Sequence, residues 1–226
     1  MTKKALVIGG SGFIGSHVAD HLSLSGYETT IFDIIPSPWL RNDQTMIIGD
    51  INNFLDVEEA VKSSNYVYNF AALADLNLSL NKPKKTAEIN ILGNLNVLEA
   101  CHKYKINRFI YASSVYVHSR EGGFYRCSKQ ASEAYIEEYH KAYGLDYTIL
   151  RYGSLYGPRA DHSNGLLEIV KTALEKKKLV YRGHPDAMRE YIHVEDAARA
   201  SIIALGDEFK NESVVLTGQE PMRVED

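Results

Sequence analysis

A chain of 226 residues with 45% apolar content and a net charge of −4 is long enough for one large domain or one and a half, and has no overall attraction to nucleic acid or an anionic membrane. An anionic ligand must therefore be held by local arginines or helix ends. No apolar stretch reaches membrane-span length, the start lacks a signal peptide's apolar core, and Cys101 and Cys127 lack metal spacing, which together predict a cytoplasmic protein with free thiols and no metal.

The first readable unit is KALVIGGSGFIGSH, residues 4–17. A short apolar run at 5–8 reads as a buried strand and meets Gly9, Gly12 and Gly15 in a G-x-x-G-x-x-G spacing before a helical pattern at 13–24. Glycine serves the tight turn, the approach of backbone to a pyrophosphate, and close helix–strand packing. The helix start offers free N–H groups and a partial positive charge to phosphates. A second strand at 28–33 ends on Asp33, about where a carboxylate binding a ribose hydroxyl is expected.

Further strands are expected at 45–48, 66–70, 108–112 and 147–151, with helices at 54–62, from Pro83 onward, and at 124–143. Asp50 and Ile51, after the third strand, would bracket an adenine edge, although an Asp there is at least as often a turn or cap residue. The fourth strand leaves on Asn69, Phe70, Ala71 and Ala72, small residues against which a flat cofactor could lie. The Pro83 helix carries Ile89, Leu92, Leu95 and Leu98 as its apolar positions. Beyond Gly153 a helix is expected at 166–178, an irregular loop at 182–189, an extended piece at 191–193, a helix at 195–205 and a last strand at 213–216 that rejoins the sheet. Alternating strands and helices predict an α/β fold, a doubly wound parallel sheet. The expected division is a Rossmann-like dinucleotide domain at 1–153 and a small, apparently truncated substrate lobe at 154–226.

Tyr125 and Lys129 stand four residues apart on a predicted helix, so they share a face one turn apart. A free phenol has a pKa of about 10, and a nearby ammonium together with an oxidised nicotinamide would favour the phenolate. Ser114, at the end of the fifth strand, would hydrogen-bond the substrate oxygen or the phenol. Any exposed helix produces such a Tyr-Lys spacing easily, so the pair alone is weak.

The ordered motifs GGSGFIG, D, GDI, NFAA, YASS, YRCSK, LRYGSLYGPR and REYIHVEDAARA together resemble the extended short-chain dehydrogenase/reductases, in particular the nucleotide-sugar epimerases and dehydratases. The resemblance implies NAD as cofactor, a nucleotide sugar as substrate and a homodimer formed through the helices near Pro83 and Tyr125, although packing against the sheet explains most of their apolar residues equally well. It makes Tyr125 the general base, Lys129 the residue that lowers its pKa and holds the nicotinamide ribose, and Ser114 the hydroxyl partner. Cofactor positions fall on Gly9, Gly12, Phe13, Ile14, Gly15, Asp33, Asp50, Ile51, Phe70, Ala71, Ala72, Asn90, Tyr125, Lys129 and Tyr152. Substrate positions fall on Ser114, Ser154, Arg189 and Tyr191, with Arg189 on the diphosphate.

Departures from that pattern are informative. Val115 and Tyr116 stand where the dehydratases carry an Asp-Glu pair, so a 4,6-dehydratase is disfavoured. His118 and Ser119 replace Tyr and Gly, and Ser154 replaces an Asn. The segment 119–124 is short, and the chain stops at Asp226 before the family's further substrate strands. The expected function is an NAD-dependent nucleotide-sugar epimerase or related oxidoreductase, the alternative being an NAD-binding sensor or partial module without turnover.

Overall fold

The computed structural model describes residues 2–179 and 188–223; the first part of the expected 182–189 loop lies outside the described residues. The chain begins with β1 (Lys4–Ile8), α1 (Phe13–Leu24), β2 (Glu28–Asp33), β3 (Gln44–Ile48), α2 (Phe54–Val61) and β4 (Tyr66–Asn69). Next come α3 (Leu76–Asn81), α4 (Pro83–Ala87), a π-helical segment (Glu88–Gly93), α5 (Asn94–Lys103), β5 (Arg108–Ser114), a 3-10 turn (Val115–His118) and α6 (Gly123–Tyr143). The remainder is β6 (Tyr147–Tyr152), β7 (Ser154–Tyr156), α7 (Gly165–Lys176), β8 (Met188–Arg189), β9 (Tyr191–His193), α8 (Val194–Ile203), β10 (Glu212–Leu216) and β11 (Met222–Arg223).

Seven strands form one parallel sheet in the order β10-β6-β5-β4-β1-β2-β3. Both faces are covered, which is why the strands read as continuous apolar runs rather than as alternation. Leu6 and Ile8 pack with Val57, Leu98 and Ile136 of α2, α5 and α6. Ala5 and Val7 point the other way, to Val18 and Leu22 of α1 and Ala197 of α8. The same parity runs through β5 and β6. Phe109, Tyr111 and Ile149 face α6, while Ile110, Leu150 and Tyr152 face α1 and α8. β10 lies beside β6, so the last strand completes the main sheet. Off the sheet, β7 pairs in parallel with β9, and β8 pairs antiparallel with β11.

Local differences from the sequence reading have identifiable causes. Helix α3 is not anticipated from LNLSLN; Asp75 starts it by accepting from the Leu78 N–H at 2.8 Å. The Pro83 helix contains a π turn, which shifts the phase of its apolar stripe, so Leu98 is buried while Leu92 is 56% exposed. β5 extends through Ser114 rather than stopping at Ala112. Cys101 is buried and Cys127 exposed, both as free thiols. No helix among the described residues is long and apolar enough to cross a membrane.

Candidate active site

Strand order reverses between β1 and β4, and ligands of doubly wound sheets bind at the carboxyl ends of the strands beside such a switch. The glycine turn lies there. Gly9, at φ +79°, accepts the Gly12 N–H at 3.2 Å and abuts the segment leaving β4, where an added Cβ would come within 2.5 Å of the Ala71 nitrogen. A Cβ on Gly15 would meet the Gly9 carbonyl oxygen at 2.3 Å. Gly12 is different. Its φ is −80°, and a Cβ there would meet only the Gly9 oxygen, at 3.3 Å. Among the described residues only this one tight contact opposes a side chain at 12, whereas a ligand approaching the uncapped start of α1 would oppose it fully. Phe13 and Ile14 open that helix, Ile14 packing on the α1 face of the core.

Asp33 closes β2 and turns toward the glycine loop, its two oxygens accepting the Ser11 N–H at 3.0 Å and the Ile35 N–H at 3.3 Å. An ionised carboxylate has further lone-pair sites, so it retains capacity for a ribose hydroxyl. Asp50 does serve as a turn residue, accepting the Asn52 backbone N–H at 2.9 Å. Ile51 beside it is buried. Phe70 stacks on Tyr68 and leans on Tyr152, and Ala71 and Ala72 after it are half-buried. An open Gly12 face, an uncapped helix start, the Asp33 carboxylate and small residues at 71–72 fit a dinucleotide.

Two cofactor candidates are engaged elsewhere in the chain. Asn90 sits in the π turn with its side chain buried. Its amide donates to the Leu73 carbonyl at 3.2 Å and the Ser128 hydroxyl at 2.9 Å, and its oxygen accepts the Leu73 N–H at 2.7 Å. Both amide hydrogens are used, so this side chain clamps the segment after β4 to α6. Tyr152 points into the α8 side, its hydroxyl 2.7 Å from Ser201 Oγ.

Ser114, Tyr125 and Lys129 converge where β5 ends and α6 begins. The Ser114 hydroxyl lies on the Tyr125 phenol side and accepts the Tyr116 N–H at 3.3 Å. Tyr116 meets the Tyr125 ring edge-on, 6.5 Å between centroids. Burial pushes the Tyr125 phenol well above its ordinary range and Tyr116 adds to this, while the Ser114 hydroxyl acts in the opposite sense. Lys129, 2% exposed, donates to the Ala112 carbonyl at 2.6 Å and lies 4.6 Å from the Tyr111 ring centroid and 5.6 Å from that of Tyr125. Burial draws this lysine down to about 7, and Glu133 opposes the fall.

Of the residues expected to meet substrate, Ser154 and Tyr191 are register partners of the β7–β9 pair. Tyr156 packs edge-on against both Tyr191 and His193. Arg189 lies in β8, opposite Met222.

Sequence reading misses a set of supporting groups. Glu133 accepts from Ser113 Oγ at 2.5 Å and holds Arg151 in a two-pronged ion pair at 3.1 and 2.7 Å. A signal for it exists, since 125, 129 and 133 follow one another at helical spacing on a single face. Glu195 joins α8 to α1 through His17 and His21, each at 2.7 Å, and His17 also reaches the Pro158 carbonyl at 3.0 Å. No local pattern announces that link.

Comparison with known proteins places this geometry. A putative UDP-glucose 4-epimerase of Methanocaldococcus jannaschii is 32% identical over 238 residues, covering 95% of this chain and 77% of that protein. The crystal structure of a UDP-glucose 4-epimerase with UDP-glucose from Thermotoga maritima has a TM-score of 0.88 at 29% identity, over 98% of this chain and 79% of that one. A UDP-glucose 4-epimerase of Thermus thermophilus, in complex with NAD, has a TM-score of 0.86 at 28% identity, over 98% and 80%. The model of the NAD dependent epimerase/dehydratase family matches residues 5–216, from the first strand to the last strand of the main sheet. With the match running through the whole sheet, the chain belongs to that family, the extended short-chain dehydrogenase/reductase group, and NAD is its cofactor.

Proposed function

We propose that the protein is a nucleotide-sugar epimerase that transiently oxidises a sugar hydroxyl, with Tyr125 as the group that takes and returns the hydroxyl proton. The observation that carries this reading is the meeting of Ser114, Tyr125 and Lys129 at the carboxyl edge of the sheet, beside the glycine turn's switch point. When bound, NAD supplies the two-electron acceptor for that oxidation and the donor for the return step. Ser114 aims the phenol and the sugar oxygen, and Lys129 supplies positive charge beside the developing phenolate.

Residues 1–153, completed by α8 and β10, are assigned to the dinucleotide. Ser154, Arg189 and Tyr191 are assigned to the sugar nucleotide, with Arg189 on its diphosphate. Asp33 favours NAD over its 2′-phosphorylated form, because a carboxylate repels that phosphate. Val115 and Tyr116 follow Ser114 directly and offer no acid or base for losing water at neutral pH, which favours epimerisation within a family that also contains dehydratases.

The test is NAD binding followed by turnover of a panel of UDP-, GDP- and dTDP-sugars. Tyr125→Phe is expected to keep NAD affinity and lose about 10² to 10⁴ in turnover. Absence of NAD binding would discard the reading, and a product that has lost water would make the enzyme a dehydratase. Equal and negligible turnover by both forms, with NAD bound, would make it a binding module.

A further inference from the structure

Three residues of α6, Tyr125, Lys129 and Glu133, are spaced by four and so stack along one helix face. Two of them are buried charges, Lys129 at 2% and Glu133 at 7% exposure. A buried charge is costly unless other groups compensate it. Around the Lys129 ammonium, β5 contributes the Ala112 carbonyl and the Tyr111 ring, and its own helix contributes the Tyr125 ring and the field of Glu133. From the π-helical segment, Asn90, a neutral amide, bonds Ser128, the residue before Lys129. Beyond Tyr125 lie Tyr116 and Ser114.

Glu133 is itself immobilised. Ser113 of β5 donates to one oxygen, and the Arg151 guanidinium of β6 grips both. Strand parity explains the meeting, because Tyr111, Ser113 and Arg151 all leave the sheet on the α6 side. Lys129 and Glu133, both buried, and the partly buried Arg151 thus bring two positive charges and one negative to the α6 side of the sheet, a net positive charge near a phenol.

We propose that Glu133 is a positioning residue for the reaction: locked by Arg151 and Ser113, it keeps Lys129 protonated and seated beside Tyr125. Without its carboxylate, this region would hold two cations, the buried Lys129 and the partly buried Arg151, with the Glu133 charge gone. A guanidinium does not release its proton in proteins, so the lysine must. A neutral Lys129 no longer favours the phenolate. The drop of Lys129 to about 7 under burial places this equilibrium where neutral pH reads it.

The inference rests on the reading of Tyr125 and Lys129 as the reacting pair, but its first measurement needs neither cofactor nor sugar. The full chain, labelled with ¹³C at lysine Cε, is titrated by NMR, with Lys129→Met identifying the resonance. Glu133→Gln is expected to lower the Lys129 midpoint by about one pH unit or more, and Glu133→Gln with Arg151→Met to lower it less, because a cation leaves as well. Arg151→Met alone is expected to raise it. The three expected shifts differ in sign or size, so each variant that folds tests the coupling by itself. In turnover, the alkaline limb of kcat/KM follows the same order, which a merely structural role would not produce. An unmoved Lys129 midpoint in a folded variant, or uniform loss of turnover with an unchanged pH profile, overturns the proposal. A graded set of midpoints in a chain that converts no sugar nucleotide supports the coupling and rejects the epimerase reading.

Discussion

The two sides of the site are built differently. On the proposed cofactor side, the glycine turn is held mainly by backbone, Gly9 touching the Phe70–Ala71 peptide and its N–H donating to the Phe32 carbonyl at 2.8 Å, with the Asp33 carboxylate accepting the Ser11 N–H. On the proposed substrate side, β7 and β9 are three-residue strands, β8 and β11 two-residue strands, and α7 has no buried residue. A part that must match one invariant ligand gains from over-determination, whereas sparse pairing on the surface tolerates substitution and so suits the part that selects among sugars. On the proposed assignment, the dinucleotide is held mainly by backbone with one selecting carboxylate, Asp33, and substrate choice falls on side chains.

The strongest challenge to this contrast lies within the glycine turn itself. Gly9→Ala adds a Cβ against backbone at a positive φ and is expected to destabilise the protein by about 2 to 5 kcal/mol, read as a shift in the urea midpoint. Gly12→Ala meets no such wall. Its stability is expected to stay within about 1 kcal/mol of the parent while NAD affinity falls roughly tenfold or more. Equal destabilisation by both would mean that the two glycines serve packing alone. A smaller, purely substrate-side effect is expected from Arg189→Met: KM for a sugar nucleotide rises by about tenfold or more, as for loss of a charged hydrogen bond, with NAD affinity and thermal midpoint unchanged. A fall in NAD affinity of the same size would erase the division between the two sides.

The weakest effect concerns the contact between α1 and α8. The histidines His21 and His17 hold the Glu195 carboxyl below its ordinary value of 4.5. A group whose pKa is lowered on folding stabilises the fold above its unfolded pKa, and that contribution is lost as the pH falls past 4.5 and through the lower folded value. Glu195→Gln is therefore expected to lower the thermal midpoint slightly at pH 6 and to leave it unaltered relative to the parent at acid pH, where the parent has lost the same contribution. A difference that persists undiminished into acid would show that Glu195 acts by packing rather than by charge.

The elements most legible in advance are those whose cause is local. The apolar runs of β1, β2 and β5 announce strands buried on both faces, and a glycine at 9 with an acid at 33 announces the dinucleotide turn, because turn geometry and strand burial are set by residues within a few positions. α3 is hidden because its start depends on a single capping Asp75 in an otherwise ordinary polar stretch. β7 is too short for its alternation to register and exists only because β9 lies beside it.

Periodicity along the chain is enough to specify the parallel sheet, the edge of it that carries the site and the face shared by Tyr125 and Lys129, since each follows from spacings within a single element or a run of them. It is not enough to specify that Asn90 clamps Leu73 to α6, that Tyr152 turns to Ser201, or that Glu133 finds Arg151 across a strand. Those outcomes depend on which face of the sheet a residue leaves and which helix covers that face. Partners tens of residues apart are chosen by packing, and a buried polar group takes whatever donor or acceptor the fold brings within reach.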